Sequence, residues 1–132
     1  MKAAFGHLGL NVTNVEFYLK LLVFLDYRVV EQTPSRIGMS DGKGSLWIYR
    51  VDPRFHDRGF HRKALGLNHL ALRVKSKNDV DRFYRAFLKP QKITVLYGGP
   101  GRHPKYRPDY YAVYFEDPDR IKLEVFYNPD GS

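Results

Sequence analysis

The sequence contains no cysteine in its 132 residues. This absence excludes disulfide bonds, thiolate metal sites and a cysteine nucleophile. It is compatible with the cytoplasm, and we expect that location. No apolar run approaches the roughly 20 residues of a membrane-spanning helix. The N-terminal residues 1–7 also lack the apolar stretch of a signal peptide. We therefore expect no membrane partner.

Acidic residues are also scarce, with 14 Asp and Glu against 22 Lys and Arg, for a net charge of +8. Such a balance suits nucleic acid, an anionic substrate or simple solubility. The basic residues form only loose clusters, and no helix-turn-helix, zinc-finger or RNP-like motif accompanies them. No nucleic-acid partner is therefore expected. Aromatic residues, in contrast, make up 15% of the chain, which indicates pockets or interfaces lined with rings.

The chain contains two copies of one pattern. Residues 7–12 (HLGLNV) and 69–74 (HLALRV) alternate apolar and polar positions, which predicts two half-buried strands. A helical pattern follows each strand, starting near Asn14 in the first copy and near Ser76 in the second. Asparagine and serine are good N-cap residues. Pro90 ends the second helix, because the residue before proline avoids helical conformation.

Three further strands complete each copy, so that each reads β-α-β-β-β. We expect a single domain over residues 1–132, of class α+β, with module one at 4–51, a connection at 52–66 and module two at 67–128. The predicted strands are 27–33, 36–40 and 45–51 in the first copy, and 93–97, 110–115 and 121–127 in the second. A long loop at 98–109 is rich in Gly, Pro and Arg, and such loops are often binding elements.

Three potential metal ligands lie on strand faces turned away from the helices. His7 and His69 begin the first strands of the two copies, and Glu124 lies in the last strand. If the modules pair, these faces line one concave sheet. Two imidazoles and one carboxylate suit Fe, Mn, Ni or Zn and leave coordination positions open. We expect one divalent ion per site, of unknown identity.

Other residues are candidates for the walls of this site. Aligning residues 45–49 with 122–126 places Trp47 opposite Glu124 in the repeat, and Trp47 and Tyr49 are predicted to form an aromatic wall. His103 lies in the long loop and is a candidate for substrate contact. Tyr110 and Tyr111 alternate on a strand, so only one can face the pocket. We take Tyr111 as that residue, and Tyr111 and His103 as candidates for an otherwise unidentified catalytic group.

With these residues in place, the chain resembles the vicinal oxygen chelate superfamily, the glyoxalase/bleomycin resistance protein/extradiol dioxygenase family. The matching segments are 6–12, 17–18, 68–71 and, most strongly, 111–124 (YAVYFEDPDRIKLE). The resemblance covers nearly the whole chain. It implies two modules that form an open barrel of mixed sheet with flanking helices. It also implies a metal-dependent enzyme that acts on a small molecule with vicinal oxygens.

The resemblance leaves the reaction open among a lyase or isomerase of glyoxalase type, a dioxygenase and a thiol transferase. The alternative is a small-molecule-sequestering protein of the bleomycin-resistance type, without catalysis. The chain departs from the family pattern at two positions, and the second departure bears on the ligand set. Arg120 replaces the usual glycine of the Asp-Pro-Asp-Gly turn, and Trp47 stands where glyoxalase I has a second glutamate. The three-ligand set is therefore closer to the fosfomycin-resistance or dioxygenase pattern.

A homodimer is the expected assembly. Family members can pair their modules across two chains, and the connection at 52–66 is long enough to cross between subunits. Pairing would also cover an exposed sheet edge, and a two-fold dimer is the commonest oligomer. Whether His7 comes from one chain and His69 and Glu124 from the other is left open.

Overall fold

The computed structural model describes residues 1–131 and divides the chain into two compact units, Met1–Gly59 and Phe60–Ser132. Each unit contains one β-α-β-β-β series. In the first unit these elements are β1 (His7–Val12), α1 (Val15–Phe24), β2 (Arg28–Thr33), β3 (Arg36–Ser40) and β4 (Ser45–Arg50). In the second they are β5 (Leu70–Arg73), α2 (Lys77–Phe83, continued by a π-helical turn at Tyr84–Leu88), β6 (Val95–Arg102), β7 (Tyr111–Glu116) and β8 (Lys122–Tyr127).

Each unit forms a four-stranded mixed sheet. The strand orders are β1-β4-β3-β2 and β5-β8-β7-β6. In each sheet the first strand of the series therefore lies at an edge, next to the last strand of the series. In both sheets that first–last pair is parallel, whereas the hairpin pairs are antiparallel. The predicted α+β class with two β-α-β-β-β modules is therefore confirmed.

The predicted helix starts are confirmed by their caps. The Asn14 side chain accepts a hydrogen bond from the Phe17 N–H at 3.0 Å. The Ser76 hydroxyl accepts one from the Asp79 N–H at 3.1 Å. Each cap satisfies a backbone donor that the first helical turn leaves without a partner.

The core of each unit lies between its helix and one face of its sheet. In unit one the fully buried side chains include Tyr18, Leu21, Leu22, Ile37, Met39 and Ile48. In unit two they include Val80, Phe83, Leu88, Val113, Phe115, Leu123 and Val125. Burying each such apolar side chain contributes about 1.5–3 kcal/mol. On the strands these residues are separated by two positions, as a one-sided core requires.

The long loop proves shorter than predicted. Strand β6 was expected to end at Tyr97, but it continues to Arg102 through a wide bulge. Leu96 pairs with Tyr114 and Gly101 with Ala112, so three extra residues are accommodated on β6. Tyr97, Gly98 and Gly99 all have positive φ angles there. Glycine adopts positive φ angles without steric cost, so Gly98 and Gly99 permit this bulge. From the sequence alone these glycines predict only a loop.

The connection between the modules also contains regular structure, a short 3₁₀ helix at Pro53–Arg58, where the sequence showed no period. Its start is capped by Asp52, whose side chain accepts from the Arg54 N–H at 2.9 Å. Among residues 1–131, no helix is long and apolar enough to cross a membrane.

Candidate functional site

The two sheets place Trp47 and Glu124 at equivalent positions. Trp47 pairs with Gly9 of β1, and Glu124 pairs with Ala71 of β5. Gly9 and Ala71 are themselves equivalent in the repeat. Because neighbouring strand residues point to opposite faces, Glu124 faces away from the helix against which Leu123 and Val125 are buried. The predicted alignment of the last strands is therefore correct.

Glu124 is the most deeply buried acidic group of this face, with 1% of its surface exposed. Its two carboxylate oxygens have different partners. The Tyr110 hydroxyl donates a short hydrogen bond to Oε1. Oε2 lies 3.4 Å from Nε2 of His69. A buried carboxylate with one oxygen held by a phenol presents the other in a fixed direction.

His69 lies directly before β5, and its side chain is 37% exposed. Its Nδ1 is 2.7 Å from Oδ1 of Asn68. An amide oxygen only accepts hydrogen bonds, so Nδ1 carries the proton and donates. Nε2 is then the ring nitrogen that faces Glu124 and is left to bind a metal ion. A metal-binding histidine commonly has its other nitrogen held in this way.

The donor chemistry of this pair fits a divalent cation. Ligand atoms about 2.0–2.2 Å from zinc in a roughly tetrahedral site are about 3.3–3.6 Å apart, and the Nε2–Oε2 separation is 3.4 Å. Across residues 1–131, no cluster of three His, Asp or Glu side chains is arranged to hold a metal ion. The structure thus brings together two of the three predicted ligands, His69 and Glu124. Metal binding by this pair and the participation of His7 stay predictions.

His7 opens β1 in the first unit and is exposed. In register it pairs with Ser45, which places it on the same strand face as Trp47 and Tyr49. The indole of Trp47 covers Gly38, since a Cβ at Gly38 would lie 2.8 Å from two of its ring carbons. Tyr49 remains 38% exposed. The predicted aromatic residues therefore share the face of His7, and their contact with a substrate stays a prediction.

An aromatic cluster surrounds Glu124 in the second unit. The Tyr110 ring stacks on Phe126 with a centroid distance of 5.2 Å. His103 contacts Tyr114 edge-on at 5.1 Å, and Tyr114 pairs with Glu124 across β7 and β8. Burial raises the pKa of Tyr110 and Tyr114, and the nearby Glu124 charge raises both further. Burial lowers the pKa of His103, which favours its neutral form.

Tyr111 does not lie on this face, so that part of the prediction was wrong. Its hydroxyl donates to Asp81 of α2 at 2.7 Å. The hydrogen bond to Asp81 is the main cause that raises the pKa of Tyr111 to about 12. The residue that faces Glu124 is Tyr110, because Tyr114 is the register partner of Glu124 and alternate residues share a face.

Tyr110 and Asn68 are the contributors to the site that the sequence reasoning missed. The signal for Tyr110 was available in the tight turn at Asp117, where the Asp117 carboxylate accepts from the N–H groups of Asp119 and Ile121 at 2.8 Å. A turn of this length fixes the register of β7 against β8, and hence which tyrosine faces Glu124. For Asn68 no comparable signal existed, because its contact depends on side-chain rotamers.

The chain is similar to several known proteins. YqjT, an uncharacterized protein of Bacillus subtilis, is 36% identical over 124 residues, which cover 90% of this chain and 94% of that protein. The crystal structure of a proposed glyoxalase from Bacillus halodurans is 35% identical, with a TM-score of 0.82, over 94% of this chain and 95% of its own.

A third similar structure is that of a glyoxylase/bleomycin resistance protein/dioxygenase domain from Frankia. It has a TM-score of 0.74 and 20% identity and covers all of this chain and 96% of its own. At that identity the likeness concerns the fold alone. No family model matches the sequence.

Proposed function

Because the chain belongs to the glyoxalase/bleomycin resistance protein/dioxygenase family, we propose that it is a metal-dependent enzyme acting on a small molecule with two adjacent oxygen atoms. The observation that carries this proposal is the pairing of His69 Nε2 with Glu124 Oε2, each held in position by a second partner. A bound divalent ion supplies a Lewis acid that polarises substrate oxygens.

Each residue of the site has a defined part in this proposal. His69 and Glu124 hold the metal, and His7 is the proposed third ligand. Tyr110 occupies Oε1 of Glu124 and leaves Oε2 for the metal. Asn68 fixes the tautomer of His69. Outer partners of this kind orient the ligands, and their loss typically weakens metal binding by roughly 10- to 100-fold.

His103 is the candidate proton carrier. Its imidazole is half-buried against Tyr114 on the same face as Glu124, and burial lowers its pKa. A neutral imidazole at this place could take a proton from one carbon of the substrate and return it to the neighbouring carbon. This arrangement suits a lyase or isomerase of glyoxalase type, in which a proton moves between neighbouring carbons of the substrate.

Metal content tests the proposal most directly. Freshly purified protein should contain about one divalent ion per site by elemental analysis. Refilling the metal-free protein with Zn²⁺, Ni²⁺, Mn²⁺ or Co²⁺ should be measurable by calorimetry. Glu124→Gln and His69→Gln should each weaken that binding by more than the roughly 100-fold typical of an outer partner. His56→Gln, in the connection, is the matched control. Equal binding by all three variants would refute the site.

The assembly is proposed to be a homodimer with sites built at or near the interface. Sedimentation at micromolar concentration tests the mass. Mixing His7→Gln with Glu124→Gln chains then asks where the ligands come from. If His7 and Glu124 come from different subunits, refolded mixtures regain about a quarter of the sites, since half of random dimers are mixed and each has one intact site. If a single chain supplies all three ligands, no site is regained.

A second candidate function is sequestration of a small molecule without catalysis. It is favoured by the cluster of rings around Glu124, in which Tyr106, Tyr110, Tyr114 and Phe126 provide stacking surfaces. Under this proposal His69 and Glu124 form an ion pair rather than a metal site. Purified protein free of metal, and indifferent to added metal in calorimetry, would favour this candidate.

A further inference from the structure

Lys122 occupies an unusual position at the edge of the Glu124 face. Its ammonium lies 4.9 Å from the ring centroids of both Tyr97 and Tyr114. Within residues 1–131 no carboxylate forms an ion pair with it. Lys122 and Glu124 are two residues apart on β8, so both side chains point to the same side of the sheet. The cation therefore stands beside the proposed metal site.

The surroundings of Lys122 carry an excess of positive charge. Glu116 is the register partner of Lys122. Its carboxylate is already shared by Arg62, at 2.7 Å, and Arg120, at 3.7 Å. Three cations thus face Glu116, and with the Glu124 carboxylate also counted the cluster keeps one net positive charge. Such an excess draws anions toward the site.

Tyr97 is held over this cluster by unusual backbone geometry. It lies in the wide bulge of β6 with a φ of 55°, in the left-handed region that non-glycine residues rarely adopt. Its side chain is 60% exposed, and its ring meets Tyr114 edge-on at 5.3 Å. Hydrogen bonding from Lys122, with a smaller contribution from Arg62, lowers the pKa of Tyr97. Backbone strain of this kind tends to occur at functional sites.

We propose that Lys122, Tyr97 and Arg62 form a subsite for an anionic group, a carboxylate or phosphate, of the substrate. The inference rests on the proposed function, because the adjacent oxygens of the same molecule would bind at His69 and Glu124. Residues two apart on a strand are separated by roughly 6.5–7 Å. The anionic group is therefore a few bonds from the chelating oxygens.

Two hydroxamates test this subsite on the metal-loaded protein. Butyrohydroxamate and succinohydroxamate both chelate a metal through two adjacent oxygens, but only the second ends in a carboxylate. Calorimetry should show that the wild-type protein prefers succinohydroxamate by about 10-fold, as expected for one charge-assisted contact. Lys122→Gln should reduce this preference to within about 2-fold, because the general attraction of the cation for a metal-bound hydroxamate is lost equally for both ligands.

Lys105→Gln is the matched control, because Lys105 also lies over a tyrosine, with its ammonium 5.2 Å from the Tyr106 ring centroid. It removes the same charge elsewhere on the unit and should keep the preference. An equal loss of preference in both variants would show a general charge effect and overturn the subsite. An unchanged preference in Lys122→Gln would also overturn it and leave Lys122 as a surface cation over two rings.

A second measurement separates this inference from the proposed function. If neither hydroxamate binds, the metal site is wrong, but the subsite can still be examined in the metal-free protein with inorganic phosphate. Phosphate binding that weakens several-fold in Lys122→Gln, but not in Lys105→Gln, would support the subsite. Equal phosphate binding by the two variants would reject it. Unchanged thermal unfolding of both variants would confirm that each is folded.

Discussion

The two units have the same order of elements, but they differ at one facing position of the last strand. Unit one carries Trp47 there and unit two carries Glu124. The register partner of this position on the neighbouring antiparallel strand also differs between the two units. Gly38 leaves room for the indole of Trp47, whereas Tyr114 covers Glu124. A duplicated scaffold thus holds an apolar wall in one copy and a buried carboxylate in the other.

The loop that joins the second and third strands of each series explains why only the Glu124 face is covered. In unit one, β2 and β3 are joined by a two-residue turn, Pro34 and Ser35. In unit two, residues 103–110 join β6 to β7 and bring His103 and Tyr106 against the rings of Tyr114 and Tyr110. Catalytic and binding groups often lie on such long connections, carried by a rigid sheet.

Metal binding should show the largest difference between the two positions. Glu124→Gln removes a proposed ligand and should weaken binding more than 100-fold. Trp47→Glu places a carboxylate on the face of His7 and should tighten metal binding about 10-fold, because an added charged ligand raises affinity. Competition with a chromophoric chelator measures both.

The Trp47→Glu variant also removes the ring that covers Gly38. Trp47→Gln is therefore the control, since it makes the same truncation without a charge. Equal affinity in Trp47→Glu and Trp47→Gln would contradict the proposed place of Trp47 beside the metal.

The fold and the register of the last strands could be predicted from the sequence, because alternation, caps and turn residues are local signals. The site was predicted only in part. The choice between Tyr110 and Tyr111 depended on the register of β7 against β8, and the bulge of β6 concealed where that strand ends. The contact between Asn68 and His69 depends on rotamers, which no local pattern encodes.

The turns before the two last strands should differ next in their contribution to stability. The carboxylates of Asp41 and Asp117 each accept two backbone N–H groups. Asp117 is buried whereas Asp41 is exposed. Asp117→Ala should therefore cost about 2–3 kcal/mol of unfolding free energy, and Asp41→Ala about 1 kcal/mol, because water replaces the lost acceptor at an exposed turn. Urea unfolding at pH 7 measures both.

Acid adds a second way to compare these turns. Hydrogen bonds from the N–H groups of Gly44 and Lys43 lower the pKa of Asp41 below its usual 3.8. A lowered folded pKa means that this stabilisation is present above pH 3.8 and is lost as the pH falls through the folded pKa. The wild-type protein should therefore lose its advantage in unfolding free energy over Asp41→Asn below pH 3.8.

Asp117→Asn keeps an acceptor oxygen and should retain more stability than Asp117→Ala. Equal losses in those two variants would contradict the hydrogen-bonding role.

The two faces of β7 should respond differently to the loss of a phenol. Tyr111→Phe removes the hydrogen bond to Asp81 and should cost about 1 kcal/mol at pH 7. The pKa of Tyr111 is raised to about 12, so this stabilisation is complete below the unfolded pKa of about 10. It is lost as the pH rises through 12. Unfolding at pH 7, 10 and 11.5 should show the difference shrinking.

Metal affinity separates the same two tyrosines. Tyr111→Phe should leave it unchanged, since Tyr111 lies on the helix face. Tyr110→Phe should weaken it by about 10-fold through the loss of the contact that holds Glu124. A pronounced effect of Tyr111→Phe on metal binding, with none from Tyr110→Phe, would reverse the assignment of the faces.

The smallest expected effect concerns the left-handed residue of each turn. Arg120 has a φ of 67°, and unit one has Gly42 at 94° in the corresponding turn. A side chain in this region costs about 1–2 kcal/mol, whereas glycine adds about 0.4–1 kcal/mol of unfolded-chain entropy. The exposed contact from Arg120 to Glu116 at 3.7 Å contributes little.

Arg120→Gly should therefore stabilise the protein by about 0.5 kcal/mol. Gly42→Ala, its counterpart, should destabilise it by about 1 kcal/mol. Chemical unfolding of both variants measures the pair, and a loss of stability in Arg120→Gly would show that the arginine contributes more than its strain.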